Sequence, residues 1–100
     1  MLQDLTPASF ETHLGTPFRV HFGGESPLEM VLHEVKPHEP HPGTRAQPFS
    51  VYFFQEVPRP VLPQSIYSME HEAMGNFEIF IVPVGPHPQR KGMQYEAVFY

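Results

Sequence analysis

The chain has 100 residues, of which 40% are hydrophobic and 13% aromatic. A chain of this length has the size of one domain and buries roughly two-thirds of its unfolded surface, so we expect a single domain over residues 1–100. The formal net charge of -5 repels phosphate backbones and anionic lipid headgroups, which disfavours nucleic acid and membranes as partners. Cysteine is absent, which excludes disulfides, thiolate metal ligands and a cysteine nucleophile.

One short helix is predicted near the N-terminus. Thr6 is a good N-cap, Pro7 suits the first helical position, and Gly15 is placed to end the helix in a left-handed conformation. Phe10 and Leu14 stand four residues apart on one face of this helix. We expect both side chains to pack it against the rest of the protein, across one open end of a barrel.

After the helix the hydrophobic pattern changes to a period of two, which is typical of strands. Strands are predicted over residues 18–22, 28–35, 49–54, 66–71, 77–84 and 95–100. In the second strand Val31 and Val35 are assigned to one face, and in the fifth Pro83 is expected to mark where ladder pairing ends. Residues 37–48 are rich in proline and poor in apolar side chains, so they are predicted to form a loop.

About six strands at short spacing with no βαβ unit predict an all-β, mainly antiparallel fold. The alternatives are a small six-stranded barrel and a sandwich, with one short N-terminal helix, and we favour the barrel. A barrel of this size is filled by its own side chains and leaves little room for a ligand. No basic leader or apolar stretch of membrane-spanning length is visible, so the cytoplasm is the expected location.

Seven histidines are the unusual chemical resource of the chain. His33, His38, His41 and His71, with His87 as a further candidate, are the side chains that could form a metal site such as zinc at one rim of a barrel. Proline flanks the two loop histidines and nothing in the sequence orients them, so solvated loop residues are the competing interpretation. We expect no cofactor, with a divalent metal as the alternative.

Catalytic residues are not predicted, because no serine lies in a nucleophile-elbow motif and no aspartate beyond Asp4 is available to orient a histidine. The strand over residues 49–54 is aromatic on both faces. Tyr52, Phe53 and Phe54 therefore indicate either burial on both sides or an association surface on one side.

Five segments in this order resemble an uncharacterised family of small bacterial domains, a domain of unknown function. They are F-E-T-H-L-G-T-P-F, Q-P-F-S-V-Y-F, L-P-Q-S-I-Y-S-M-E-H, G-N-F-E-I-F-I-V-P-V-G-P and Y-E-A-V-F. The resemblance implies no assigned activity, catalytic residue or cofactor. It implies a loose association with proteins similar to phage-tail collar proteins, which favours an assembly or accessory role.

The leading functional hypothesis is a non-enzymatic interaction domain that self-associates, with Tyr52, Phe53 and Phe54 carrying the contact, and with a further protein partner also open. The alternative is a small metal-dependent or ligand-binding barrel that uses the histidines. A carbohydrate-binding barrel with exposed tyrosines is a third interpretation.

Overall fold

The computed structural model describes residues 6–22, 27–39, 48–56, 62–89 and 91–99. Within these ranges one helix is followed by six strands, which confirms the predicted all-β class. The elements are α1 (Pro7–Glu11), β1 (Pro17–His21), β2 (Leu28–Pro37), β3 (Phe49–Glu56), β4 (Ser65–His71), β5 (Gly75–Pro86) and β6 (Gly92–Phe99). Most of the predicted loop over residues 37–48 lies outside the described residues.

The six strands form a closed antiparallel barrel in the order β1-β2-β3-β6-β5-β4. Closure confirms the barrel and excludes the sandwich. The period of two explains the arrangement, because alternate side chains of each strand point inward. Side chains of the barrel core include Phe18, Val20, Met30, Leu32, Phe49, Val51, Phe53, Met69, Ile79, Ile81, Tyr95 and Ala97.

Phe10 of α1 closes one end of the barrel. Its ring is fully buried and lies with its centroid 6.3 Å from that of Phe18, 6.0 Å from Phe49, 6.2 Å from Phe77 and 5.6 Å from Phe99. These four rings come from four different strands, so the helix is anchored by one side chain that reaches the ends of β1, β3, β5 and β6.

The helix is shorter than predicted, and its second packing residue was assigned wrongly. Thr6 caps the N-terminus in a capping box with Ser9, but helical geometry ends at Glu11. Leu14 follows in the turn and is 46% exposed. Gly15 has the expected positive φ of 83°, and its N–H donates to the carbonyl of Leu32 on β2.

Two irregularities in the ladders correct the predictions for β2 and β5. A register shift between Leu32 and Glu34 moves Val35 to the inner face, opposite Val51, so Val31 and Val35 do not share a face. In β5 the ladder with β6 continues beyond Pro83 through a second shift. Pro83 therefore does not end the pairing.

The barrel end opposite Phe10 is closed by a buried polar group. Tyr95 is fully buried, its hydroxyl donates to Oε1 of Gln55, and it accepts the backbone N–H of Leu62 at 3.0 Å. Burial raises the pKa of the Tyr95 phenol, so the hydroxyl keeps its proton for this bond. The chain at Leu62 is thereby attached to the interior of β3 and β6.

Tyr95→Phe is expected to destabilise the protein by about 1–3 kcal/mol, because it removes the acceptor for the buried Leu62 N–H and the donor to Gln55. Chemical denaturation monitored by circular dichroism measures this loss. The matched control is Tyr52→Phe, whose hydroxyl bonds to Glu96 on the half-buried outer surface. Equal losses in the two variants would show that the buried network at Tyr95 contributes nothing special.

Candidate functional site

The structure separates most of the histidines that the sequence suggested as metal ligands. His38 Nε2 lies 2.7 Å from the hydroxyl of Ser50, and His71 is the last residue of β4. His41 lies outside the described residues. Among the residues that the structure describes, no group of three or more histidine or carboxylate side chains is placed to hold a metal ion. The metal interpretation stays a prediction.

Among the candidate histidines in the described ranges, His33 and His87 come together. Their ring centroids are 5.1 Å apart, and the ring of Phe54 lies 5.4 Å from that of His87. Nδ1 of His87 accepts the backbone N–H of Gln89 at 3.0 Å. In a neutral ring with an accepting Nδ1 the proton is on Nε2. His87 is thus oriented by its own turn as a donor toward its surroundings.

A surface pocket of about 380 Å³ lies where the segment after α1 meets the turn after β4. It is lined by His13, Thr16, Pro17, Arg19, His71, Glu72 and Ala73. His71 is only 5% exposed, and its ring packs on Phe18 with a centroid distance of 4.2 Å and on His13 at 4.6 Å. The pocket therefore has a histidine as its buried floor.

Hydrogen bonds fix the tautomer of His71. Nδ1 accepts the backbone N–H groups of Ala73 at 3.0 Å and Met74 at 3.1 Å, so the neutral ring carries its proton on Nε2. That Nε2 lies 2.9 Å from the hydroxyl of Thr16, which in turn donates to the carbonyl of His13 at 2.6 Å. His71 thus donates to Thr16, whereas activation of a threonine nucleophile requires the histidine to accept its proton.

Arg19, which lines this pocket, belongs to a cluster of charged side chains on β1 and β4. The Arg19 guanidinium lies 3.3 Å from a carboxylate oxygen of Glu70, and Nε2 of His21 lies 3.0 Å from the other oxygen. The hydrogen bond from Arg19, followed by that from His21, lowers the pKa of Glu70, and Glu70 raises the pKa of Arg19. All three side chains are more than a third exposed, so solvent screens this cluster.

The residues suggested for self-association are mostly buried within the chain. Phe53 points into the barrel core and is fully buried, while Phe54 lies on the outer side with 2% of its surface exposed. Tyr52 is half-buried and donates its hydroxyl to Glu96 of β6 at 2.9 Å. Burial and the neighbouring Glu96 raise the pKa of Tyr52. Of this trio, Tyr52 alone reaches the surface.

A different surface carries exposed apolar side chains. Ile66 of β4 is 64% exposed and lies opposite Phe80 of β5, which is 48% exposed. Val98 of β6, which is 39% exposed, lies two residues after Glu96, and Glu96 pairs with Val82 of β5, two residues after Phe80. We call Ile66, Phe80 and Val98 the apolar row. It crosses three neighbouring strands on the outside of the barrel.

The apolar row has a signal in the sequence, which is a strand with apolar residues on both of its faces. Phe77 to Val84 is apolar at almost every position, and the closed barrel has only one interior face to accommodate them. A strand rich in apolar residues on both faces needs a cover on each. For the pocket, in contrast, no local motif links His13 and Thr16 to His71, since the fold brings them together from 55 residues away or more.

Together these features define a small closed β-barrel with a plugged interior, a histidine-floored pocket and an exposed apolar row. Residues 5–99 match the model of the family described as Domain of unknown function (DUF6916). The chain belongs to this family, which confirms the resemblance to an uncharacterised domain. No curated protein and no solved structure matches the chain. In the ranges that the structure describes, no helix has the length and apolar character to cross a membrane.

Proposed function

We propose that this domain is a non-enzymatic interaction or assembly module that self-associates as a homodimer through the apolar row. The observation that carries the proposal is the exposure of Ile66, Phe80 and Val98 on three neighbouring strands, with Ile66 directly opposite Phe80. Contiguous apolar surface of this kind usually marks an interface in soluble proteins. The aromatic side chain at its centre is of the type that dominates binding energy in such contacts.

A second copy of the chain fits the row by symmetry. A two-fold axis along the row brings Phe80 against the partner's Phe80, as an isologous contact requires. The same axis sets Glu78, two residues before Phe80 on β5, opposite the partner's Val82, two residues after Phe80. The exposed carboxylates of the two copies are then not stacked directly on one another. Tyr52, bonded to Glu96 in the neighbouring row, would lie at the rim.

The charge of the chain makes the association dependent on salt. Each copy carries a net charge of -5, so two copies repel one another at low ionic strength. Added salt screens this repulsion, since the Debye length falls from about 30 Å at 0.01 M to about 8 Å at 0.15 M. A partner with basic residues around an apolar anchor would behave in the opposite way and bind less tightly as salt rises.

Phe80→Ser is expected to raise the dimer dissociation constant by about thirtyfold or more, because it removes the central aromatic anchor of the contact. Sedimentation equilibrium or light scattering over a concentration series at 0.01 M and 0.15 M NaCl measures this effect. The unaltered chain should dimerise more tightly at the higher salt.

The matched control is Leu14→Ser, because Leu14 is 46% exposed and lies away from the apolar row. It should leave the dissociation constant unchanged. A strict monomer at high concentration would rule out self-association, and equal weakening by both variants would place the contact elsewhere. Circular dichroism of Phe80→Ser verifies that the barrel remains folded.

The proposal includes a cytoplasmic location and an accessory role in a larger bacterial assembly. The absence of cysteine is compatible with that location, and the resemblance to domains associated with phage-tail-collar-like proteins supports that role. We propose no resident metal. The contact between His33 and His87 is what supports the alternative of a metal-binding barrel, for which stoichiometric zinc in the purified protein would be the evidence.

A further inference from the structure

His71 joins three parts of the chain through its two ring nitrogens. Nδ1 accepts two N–H groups of the turn after β4, and Nε2 donates to Thr16 in the segment between α1 and β1. The side chain of Met74, whose N–H is one of the two donors, is buried in the core. The ring therefore attaches both the turn and the segment after the helix to the barrel end.

This arrangement is compatible with only one protonation state. A protonated imidazole has an N–H at both nitrogens and accepts no hydrogen bond. Protonation of Nδ1 would place its N–H against the N–H groups of Ala73 and Met74, and both turn bonds would be lost. The bond from Nε2 to Thr16 would remain, so the disruption would be concentrated in the turn.

The charged and titratable groups around His71 also matter. His13 stacks on its ring from the segment after α1, and Arg19 contributes positive charge from β1. Glu72 in the turn acts in the opposite direction. Burial, followed by His13, lowers the pKa of His71 from its ordinary 6.5, and Arg19 adds to the decrease. The neutral state is thus favoured by both the geometry and the surroundings.

We propose that His71 is a pH-sensitive lock that holds the turn at residues 72–74 onto the barrel when neutral and releases it when protonated. Release would expose Met74 and open the pocket between the turn and the segment at residues 13–16. This device is independent of the apolar row, which lies on the outside of β4, β5 and β6.

The direction of the pH dependence follows from linkage. The folded-state pKa is below that of the unfolded chain, so the unfolded or opened state binds more protons in the intervening range. The stabilisation by His71 is fully present above pH 6.5 and is lost progressively as the pH falls toward the folded-state pKa. In that window the equilibrium constant for opening of the turn should rise about tenfold for each unit by which the pH falls.

Nuclear magnetic resonance on the unaltered protein tests this directly. We expect the ring of His71 to titrate below 6.5, and the amide protons of Ala73 and Met74 to lose exchange protection over the same pH range. Protection would be compared after correction for the intrinsic pH dependence of exchange. Titration of His71 without any change at these two amides would overturn the proposal.

His71→Asn is the matched variant, because the amide oxygen can accept the same two turn N–H groups and does not titrate. Its turn amides should keep their protection from pH 8 to pH 5. His13→Asn should move the release to higher pH, because it removes a neighbouring imidazole that disfavours positive charge. Identical pH profiles in the unaltered protein and in His71→Asn would also overturn the lock.

Discussion

Phe10→Ala is expected to lower the free energy of unfolding by about 3–5 kcal/mol, because it removes a fully buried ring and leaves a cavity at the barrel end. The loss is near the upper end for such substitutions, since the surrounding rings belong to four strands whose backbones are fixed by the closed sheet. The helix has only five residues and cannot persist without this anchor. Denaturant unfolding monitored by circular dichroism measures the change.

The control for this prediction is Leu14→Ala, a truncation a few residues away on an exposed side chain. Its effect should remain within about 0.5 kcal/mol. The sequence suggested that both Phe10 and Leu14 pack α1 against the barrel, and the structure assigns this role to Phe10. Comparable losses of stability in the two variants would contradict that assignment.

Gly92→Ala is expected to cost about 3 kcal/mol or more, as a consequence of overpacking. A Cβ at Gly92 would lie 2.5 Å from Cζ and 2.6 Å from Cε1 of Phe54, and it would also meet the backbone oxygen of Gln55. The ring of Phe54 is nearly fully buried, and the carbonyl belongs to a ladder strand, so neither can move away freely.

Gly75→Ala separates this steric effect from the general cost of replacing glycine. Gly75 has a φ of 80° but nothing within 4 Å of its missing Cβ, so alanine there should cost only about 1–2 kcal/mol. Thermal and denaturant unfolding compare the two. In a double-mutant cycle, Phe54→Ala should relieve part of the Gly92→Ala loss, and strict additivity would exclude the ring as the obstacle.

The fold could be predicted from the sequence because local hydrophobic patterns determine its strands. The period of two over residues 18–22 and 66–71 predicted strands, and the structure has β1 and β4 there, with Phe18, Val20, Tyr67 and Met69 buried. The prediction of strand faces failed where one extra residue shifts the alternation, as at His33, where the bulge reverses the face of Val35. Periodicity cannot reveal a bulge, because the sequence continues to alternate while the backbone does not.

The candidate sites were less predictable for a different reason. His71 was selected as a metal candidate, yet its surroundings are decided by Thr16 and His13, which only the closure of the barrel brings near. The burial of Phe54 likewise depends on Gly92, which offers no signal of its own until β6 is placed beside β3. Contacts between distant residues require the topology first.

The barrel is joined unevenly around its circumference. In the described ranges eight residue pairs connect β3 with β6, but three connect β1 with β4, from Arg19 opposite Glu70 to His21 opposite Ser68. This short seam links residues about fifty positions apart, so it forms only after a long loop has closed, at a cost in chain entropy. Separation of the seam would turn the closed cylinder into an open sheet with two free edges, the form in which strands recruit other chains. The pairing of β1 with β4 closes the barrel, and it is therefore also the place where we expect the barrel to open most readily and expose edges that aggregate.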